Sequence, residues 1–207
     1  MLNIAVLVSG GGTNLQALID AQADGKIIGG KIACVISSRA DAFALQRAEK
    51  AGIPTAVLIR KSFASGEEYD TALLGLLAQH QIDLVVLAGF MTIISNRIIG
   101  QYPNRIINVH PALIPSFCGE GYYGLRVHQA ALDKGVKLTG ATVHFVNEVC
   151  DGGPIILQKA VEIQEGDTPE TLQRRVMEQA EWNLLPQAVS LFCQGKLQVE
   201  QNKVHIL

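Results

Sequence analysis

The stretch that decides the fold is Leu2-Asn3-Ile4-Ala5-Val6-Leu7-Val8-Ser9-Gly10-Gly11-Gly12-Thr13-Asn14-Leu15. A short apolar run is followed by three consecutive glycines, and the residues from Leu15 onward have helical spacing. A run that is apolar at nearly every position indicates a strand buried on both faces, as in a parallel sheet covered by helices. The stretch therefore predicts a strand, a glycine loop and a helix at the start of an α/β fold.

The same alternation continues along the chain. Strand-like and helix-like segments follow one another over residues 3–8, 15–23, 31–37, 42–51, 55–58, 67–79 and 84–88. A series of βαβ units of this kind predicts a doubly wound, mostly parallel, Rossmann-like sheet. We expect a single domain over residues 1–207.

The rhythm changes in the second half of the chain. Two apolar runs, 139–146 and 155–163, lie close together and predict a hairpin that extends the sheet with antiparallel strands. A long last helix is predicted over 168–194, because Asp167 or Thr168 can cap its first turn.

Composition limits the kind of partner. The 207 residues are 48% hydrophobic and 17% charged, which is enough apolar material for a sizeable core. The net charge of -2 favours neither nucleic acid nor a membrane surface, so an anionic ligand needs a local site. The first residues carry no basic region typical of a signal peptide, and no apolar run reaches about 18 residues. These features predict a cytoplasmic protein.

The cysteines do not form a recognisable framework. They are spread through the chain without C-x-x-C pairs or histidine partners at zinc spacing, as Cys34, Cys118, Cys150 and Cys193. We expect reduced thiols and no metal site.

The glycine loop favours a phosphate ligand. Backbone N–H groups between a strand and a helix N-terminus bind anions, and Thr13 and Asn14 add side-chain donors. The loop has no lysine and is therefore no Walker A motif.

Two alternative interpretations of the glycine loop stay open. A dinucleotide site lacks its third glycine, since Leu15 stands there, although Arg39 suits an NADP phosphate. The glycines can also serve only a tight turn.

A second group of polar residues follows the strand-like run that ends at His110. Asn108 and His110 are two residues apart on a strand and therefore project from the same face. An amide donor beside an imidazole suits acyl transfer, in which an oxyanion forms and protons move between nitrogens. Asp151, in a tight turn, is a candidate partner that stabilises the cationic imidazole and raises its pKa.

At this point the residues resemble a known family. The blocks that carry the likeness, which runs over about residues 1–190, are Ser9-Gly10-Gly11-Gly12-Thr13-Asn14-Leu15-Gln16, Leu87-Ala88-Gly89-Phe90-Met91, Asn108-Val109-His110-Pro111-Ala112-Leu113-Ile114-Pro115 and Gly140-Ala141-Thr142-Val143-His144-Phe145-Val146. They look like those of the phosphoribosylglycinamide formyltransferases, which are folate-dependent one-carbon transferases.

The resemblance implies a reaction and a set of site residues. The reaction is transfer of a formyl group from 10-formyltetrahydrofolate to the amine of 5-phosphoribosylglycinamide in purine biosynthesis, without metal or nicotinamide. The implied phosphate and ribose residues are Gly12, Thr13, Asn14 and Glu181. The implied catalytic residues are His110 as proton donor, Asn108, and Asp151, with His144 lining the same site. The implied folate residues are Met91, Thr92, Ile93, Ile94, Asn108, Asn147, Glu148, Val149, Cys150 and Asp151.

The chain departs from the family pattern in three places. Thr92 and Gly66 stand where the family often has arginines for the folate tail, and Arg60 or Lys61 could take their place. The segment 116–127 is longer than the family's compact loop, and it is either a lid or a surface insertion.

Three other functions are alternatives to the formyl transfer that the resemblance implies. A methionyl-tRNA formyltransferase needs a further tRNA-binding domain and a basic face. A formyltetrahydrofolate deformylase uses water in place of the amine and usually carries an N-terminal regulatory domain. A non-catalytic NADP-binding module is the rival outside the superfamily. Only small-molecule partners are expected, and monomer and homodimer are both left open.

Overall fold

The computed structural model describes residues 1–207 and contains one large sheet. Its seven strands are β1 Leu2–Val8, β2 Gly30–Ser37, β3 Thr55–Val57, β4 Leu84–Leu87, β5 Ile106–His110, β6 Leu138–Phe145 and β7 Ile155–Glu162. They lie in the order β3-β2-β1-β4-β5-β6-β7. The first five pair in parallel, whereas β6 and β7 add antiparallel strands beside β5. The predicted mostly parallel sheet with an antiparallel extension is confirmed.

Helices cover the sheet. They are α1 Thr13–Ala23, α2 Phe43–Lys50, α3 Gly66–Gln79, α4 Asn96–Gln101, α5 Leu125–Lys134, α6 Pro169–Val176 and α7 Trp182–Cys193. The helices α4 and α5 lie outside the predicted segments. A hairpin of β8 Leu197–Glu200 and β9 Lys203–Ile206 ends the chain. No helix combines the length and the apolar composition that crossing a bilayer requires.

The predicted last helix is interrupted. The side chain of Thr168 caps α6 in a capping box, as the sequence indicates. Between α6 and α7, however, the residues Met177–Glu181 form a π-helical turn. Such turns are rare and often occur at functional sites.

The two faces of the sheet bury separate cores. One core packs α1, α2, α6 and α7 against the sheet and includes Ile107 and Val109 of β5. The other packs α3 and α4 against the opposite face and includes Ile106. Because side chains alternate along a strand, Asn108 and His110 lie on the α3/α4 face. That face becomes polar where β5 ends.

Candidate functional site

The backbone of the glycine loop is oriented by α2. The Gly10 carbonyl accepts a hydrogen bond from the Ala44 N–H at 3.0 Å, and the Gly11 carbonyl accepts one from Arg47 Nε at 2.8 Å. In a planar trans peptide the following N–H points the opposite way. The N–H groups of Gly11 and Gly12 therefore point away from α2, and neither donates a hydrogen bond within the chain. This is the donor arrangement that an anion requires.

Only one of the three glycines is explained by packing. Gly12 has a left-handed φ of 72°, and a Cβ there would lie 2.6 Å from the Cβ of Ala44. Gly10 and Gly11 have no atom within 4 Å of an added Cβ, so they face open space. A tight turn accounts for Gly12 but not for its two predecessors. Free space beside the two outward N–H groups suits a ligand.

The side chains of Thr13 and Asn14 are directed to the π-helical turn. The Asn14 amide donates to Glu181 Oε2 at 2.6 Å, and Thr13 Oγ1 lies 4.0 Å from the sulfur of Met177. The sequence predicts that both side chains donate hydrogen bonds to a bound anion. In this structure their hydrogen bonds are made to the turn, which leaves the backbone N–H groups facing the open side of the loop.

Glu181 is a buried carboxyl group beside this loop. Only 4% of the residue is exposed. Burial raises the pKa of Glu181 to about 7, and the hydrogen bond from Asn14 opposes part of that rise. A carboxyl group whose pKa is moved so far is a candidate functional group.

The buried carboxyl group is expected to reduce stability above neutral pH, so Glu181→Gln should stabilise the protein there. Glutamine keeps the acceptor for Asn14. The folded carboxyl holds its proton up to a pKa of about 7, whereas its ordinary value is 4.5, so stability falls as pH rises between these values. We expect the variant to gain about 3 kcal/mol in unfolding free energy at pH 8 and almost nothing at pH 4.5.

Urea unfolding at the two pH values measures this difference. The matched control is Glu178→Gln, which changes an exposed carboxylate on the same turn, paired with Arg174 at the surface. A gain that is equal at both pH values would show that burial of the charge is not the cause.

The polar cluster at the end of β5 contains the predicted pair and a facing histidine. Asn108 lies opposite His144 on β6, and antiparallel partners project from the same face. His144 Nδ1 donates to the Phe145 carbonyl at 2.8 Å, and its Nε2 lies 3.2 Å from the amide nitrogen of Asn108. The amide of Asn108 is thereby held in place beside His110.

Asp151 lies between the two histidines. Its Oδ2 is 3.5 Å from His110 Nδ1, and its Oδ1 is 3.6 Å from His144 Nε2. The Gly119 N–H donates to the same carboxylate at 2.9 Å. Burial tends to raise the pKa of Asp151, but the hydrogen bonds from His144 and Gly119 and the nearby imidazoles outweigh it, and the pKa is lowered. The turn residue predicted as a partner does reach His110.

The pKa of His110 is lowered, not raised. Burial disfavours its cationic form more strongly than Asp151 and the Phe117 carbonyl favour it. The expected effect of Asp151 has the predicted sign, but desolvation is larger. At neutral pH His110 is therefore suited to accept a proton first and to donate it afterwards.

The segment 116–127 reaches the site with its first residues. The Phe117 carbonyl forms a hydrogen bond with His110 Nε2 at 2.8 Å, while Gly119 contacts Asp151 as described. Its later part is exposed at Tyr122 and Tyr123. The segment is thus more than a surface insertion, and a reacting group that uses His110 Nε2 has to replace the Phe117 carbonyl.

The two predicted folate segments flank the cluster, and their side chains differ in exposure. Met91 and Ile93 are exposed, whereas the Ile94 side chain packs in the α3/α4 core. The Met91 N–H is bonded to Ser9 Oγ at 2.8 Å. The segment after β4 therefore offers apolar side chains on its open side.

The other folate segment is the turn between β6 and β7. Asn147 shapes this turn, since its Oδ1 accepts the Val149 N–H at 3.0 Å and its amide donates to the Gly152 carbonyl. Glu148, Val149 and Cys150 are exposed. Within this turn, Asp151 is the residue whose side chain contacts His110 and His144.

Comparison with known proteins decides the family. A family model described as formyl transferase matches residues 2–189. The chain belongs to the formyl transferase family. The phosphoribosylglycinamide formyltransferase of Haemophilus influenzae is 43% identical over 206 residues, covering 100% of this chain and 94% of the relative. That of Escherichia coli is 43% identical over 201 residues, covering 97% and 92%.

A solved structure agrees with this membership of the formyl transferase family. Glycinamide ribonucleotide transformylase 1 from Symbiobacterium toebii matches with a TM-score of 0.94 at 44% identity, covering 100% of this chain and 94% of that one. The resemblance predicted from the sequence blocks is confirmed, and the chain is a transferase.

Arg39, which favoured an NADP site, and Leu15, which spoke against one, both have structural roles in this formyl transferase. The Arg39 guanidinium makes a two-point hydrogen-bonded pair with the carboxylate of Asp41, at 2.9 and 2.7 Å. Leu15, at the position of the missing third glycine, is fully buried in the core.

Sequence reasoning missed two residues that organise the site. Ser9 Oγ lies 2.6 Å from Ser38 Oγ and accepts the Met91 N–H, so it joins the ends of β1, β2 and β4. Arg47 holds the Gly11 carbonyl from α2. The position of Ser9 directly after a strand is a usable signal, whereas Arg47 is distant in sequence and gives none.

Proposed function

We propose that the chain transfers the formyl group of 10-formyltetrahydrofolate to the amine of 5-phosphoribosylglycinamide, in de novo purine biosynthesis. The names of its relatives support the acceptor and the transferred formyl group. The observation that carries the proposal is the cluster of Asn108, His110, His144 and Asp151 at the end of β5, on the same edge of the sheet as the glycine loop. The folate is a co-substrate in this proposal.

The cluster supplies the chemistry. The amine nitrogen attacks the formyl carbon, and the carbonyl oxygen becomes an oxyanion that the Asn108 amide and His110 stabilise. His110 takes the proton released by the amine and passes it to N10 of the folate as the C–N10 bond breaks. Asp151, 3.5 Å from His110 Nδ1, stabilises the imidazolium between these steps.

Residues on either side hold the two substrates. The outward N–H groups of Gly11 and Gly12 bind the phosphate at the N-terminal end of α1. Glu181 accepts a hydrogen bond from the ribose hydroxyls. Exposed Met91, Ile93 and Val149 line the approach for the pterin, with backbone groups of 91–94 and 147–151.

One assay separates the rival functions. The protein is mixed with 10-formyltetrahydrofolate, with and without phosphoribosylglycinamide, and release of free folate is followed. We expect release only when the amine is present. Release without the amine would indicate a deformylase. No release, together with micromolar NADPH binding in a fluorescence titration, would indicate a nucleotide-binding module.

The folate tail is assigned to Arg60 in this proposal. A Cβ on Gly66 would lie 3.3 Å from Arg60 Nη2, and the guanidinium lies 5.8 Å from the centre of the Tyr69 ring. The Arg60 cation thus occupies the space beside Gly66. Lys61 lies on the same short 3₁₀ turn, Arg60–Ser62.

Removing this cation should weaken folate binding modestly. We expect Arg60→Ala to raise KM for 10-formyltetrahydrofolate roughly twofold to fivefold, the size of an exposed ion pair, with kcat unchanged. Steady-state kinetics at low salt measure the change, and Lys61→Ala is the matched control. A larger effect of Lys61→Ala would assign the tail to Lys61 instead.

A further inference from the structure

Arg47 lies behind the glycine loop, on the side away from the open space. Its Nε donates to the Gly11 carbonyl at 2.8 Å, its Nη1 donates to Gln16 Oε1 at 3.0 Å, and its guanidinium lies 5.0 Å from the centre of the Phe43 ring. No carboxylate lies within 4.0 Å of it. The guanidinium is therefore fixed by three neutral groups, and its charge is not neutralised by an acidic side chain.

The orientation of one peptide group depends on this contact. The peptide between Gly11 and Gly12 has a glycine on each side, and an added Cβ on Gly11 would meet nothing within 4 Å. Glycine backbones rotate with little steric restriction. If this peptide turned over, the Gly11 carbonyl would face the ligand in place of the Gly12 N–H. The bond from Arg47 Nε is the hydrogen bond that keeps the carbonyl on the α2 side.

The same contact strengthens the donor. A cation bonded to the carbonyl polarises the peptide and makes the N–H at its other end a better donor to an anion. The positive charge itself also favours a dianion over a neutral group on the far side of the loop. The first effect is transmitted by the Gly11–Gly12 peptide, and the second acts across the loop. Neither requires direct contact between Arg47 and the ligand.

We propose that Arg47 is a positioning residue that makes the glycine loop selective for a phosphate monoester. This role of Arg47 rests on the proposed function in one respect, which is the identity of the phosphorylated substrate. Arg47 holds the Gly11–Gly12 peptide with its N–H outward and places an unpaired positive charge behind it.

The kinetic test uses Arg47→Met, which keeps much of the stem and removes the charge and the donors. We expect KM for phosphoribosylglycinamide to rise at least tenfold, KM for the unphosphorylated ribosylglycinamide to stay within twofold, and kcat at saturation to stay within twofold. The matched control is Arg39→Met, whose side chain is exposed and paired with Asp41 at the surface. It should leave all three values unchanged.

Several results would overturn the proposal. Equal rises of both KM values in Arg47→Met would indicate general disturbance of the loop. Unchanged KM values would remove Arg47 from the site. The same selective rise in Arg39→Met would indicate a diffuse surface-charge effect.

A second measurement does not depend on formyl transfer. Inorganic phosphate is titrated into the protein while the Gly12 amide resonance is followed by NMR. We expect a saturable shift in the parent and in Gln16→Met, which keeps the Arg47–Gly11 bond, and a dissociation constant at least tenfold larger in folded Arg47→Met. An unaltered dissociation constant in Arg47→Met would refute the positioning role. If transferase activity were absent but this titration behaved as expected, the proposed function would fail while the phosphate site stood.

Discussion

Replacement of His110 by alanine is expected to lower kcat about a thousandfold, because proton transfer by a positioned side chain contributes roughly 10²- to 10⁴-fold. The imidazole is buried next to Asn108 and has Asp151 3.5 Å from its Nδ1. Its interaction with the oxyanion and the transferred proton is needed chiefly in the transition state. KM for both substrates should therefore change less than threefold.

Steady-state kinetics with both substrates measure this effect. His80→Ala is a suitable control, since it removes an imidazole at the end of α3 that takes no part in the cluster. Equal kcat values for His110→Ala and the parent would refute the proposed mechanism. A large rise in KM at unchanged kcat would instead make His110 a binding residue.

Replacement of Asp151 by asparagine is expected to lower kcat roughly a hundredfold, at the lower end of what proton transfer contributes. Asparagine is isosteric and can still accept the Gly119 N–H, so the turn should persist. The imidazolium that forms on His110 during the reaction loses its charged partner. The loss is therefore electrostatic and not structural.

The pH profile gives the sign of this effect. The carboxylate raises the pKa of His110 against the lowering effect of burial, so removing the charge lowers that pKa further. His110 must be neutral to accept the amine proton, and its protonation causes the acid limb. We expect the acid limb of kcat/KM to move to lower pH in Asp151→Asn. An unshifted limb would remove Asp151 from the mechanism.

The sequence predicts those parts of the site that depend on the order of neighbouring residues. Alternation along a strand places Asn108 and His110 on one face, and the position of the glycine loop between a strand and a helix indicates outward N–H groups. These features depend on neighbours in sequence. The direction of the Asp151 side chain does not follow from local pattern, because a turn has no regular alternation of side chains.

The remaining parts depend on contacts between distant segments. Arg47 reaches Gly11 across 36 residues, and the Met91 N–H reaches Ser9 across 82. The lowered pKa of His110 depends on how completely the folded chain excludes water, which the amino-acid order does not state. The hydrogen bond from Asn14 to Glu181 could not be anticipated from local pattern either, because 167 residues separate the two.

The extra width of the helical turn Met177–Glu181 has a consequence for the length of the chain there. Each residue of a regular α-helix advances the side-chain direction by about 100°. A π-helical turn holds one residue more than the α-helical turn that it replaces, so the helices before and after it keep their relative phase. Deleting Glu178 would therefore restore a regular spiral with α6 and α7 still in phase, whereas one further inserted residue would rotate α7 by about 100° relative to α6. Such an insertion is expected to be less tolerated than a deletion, or than a substitution at an exposed position of this turn.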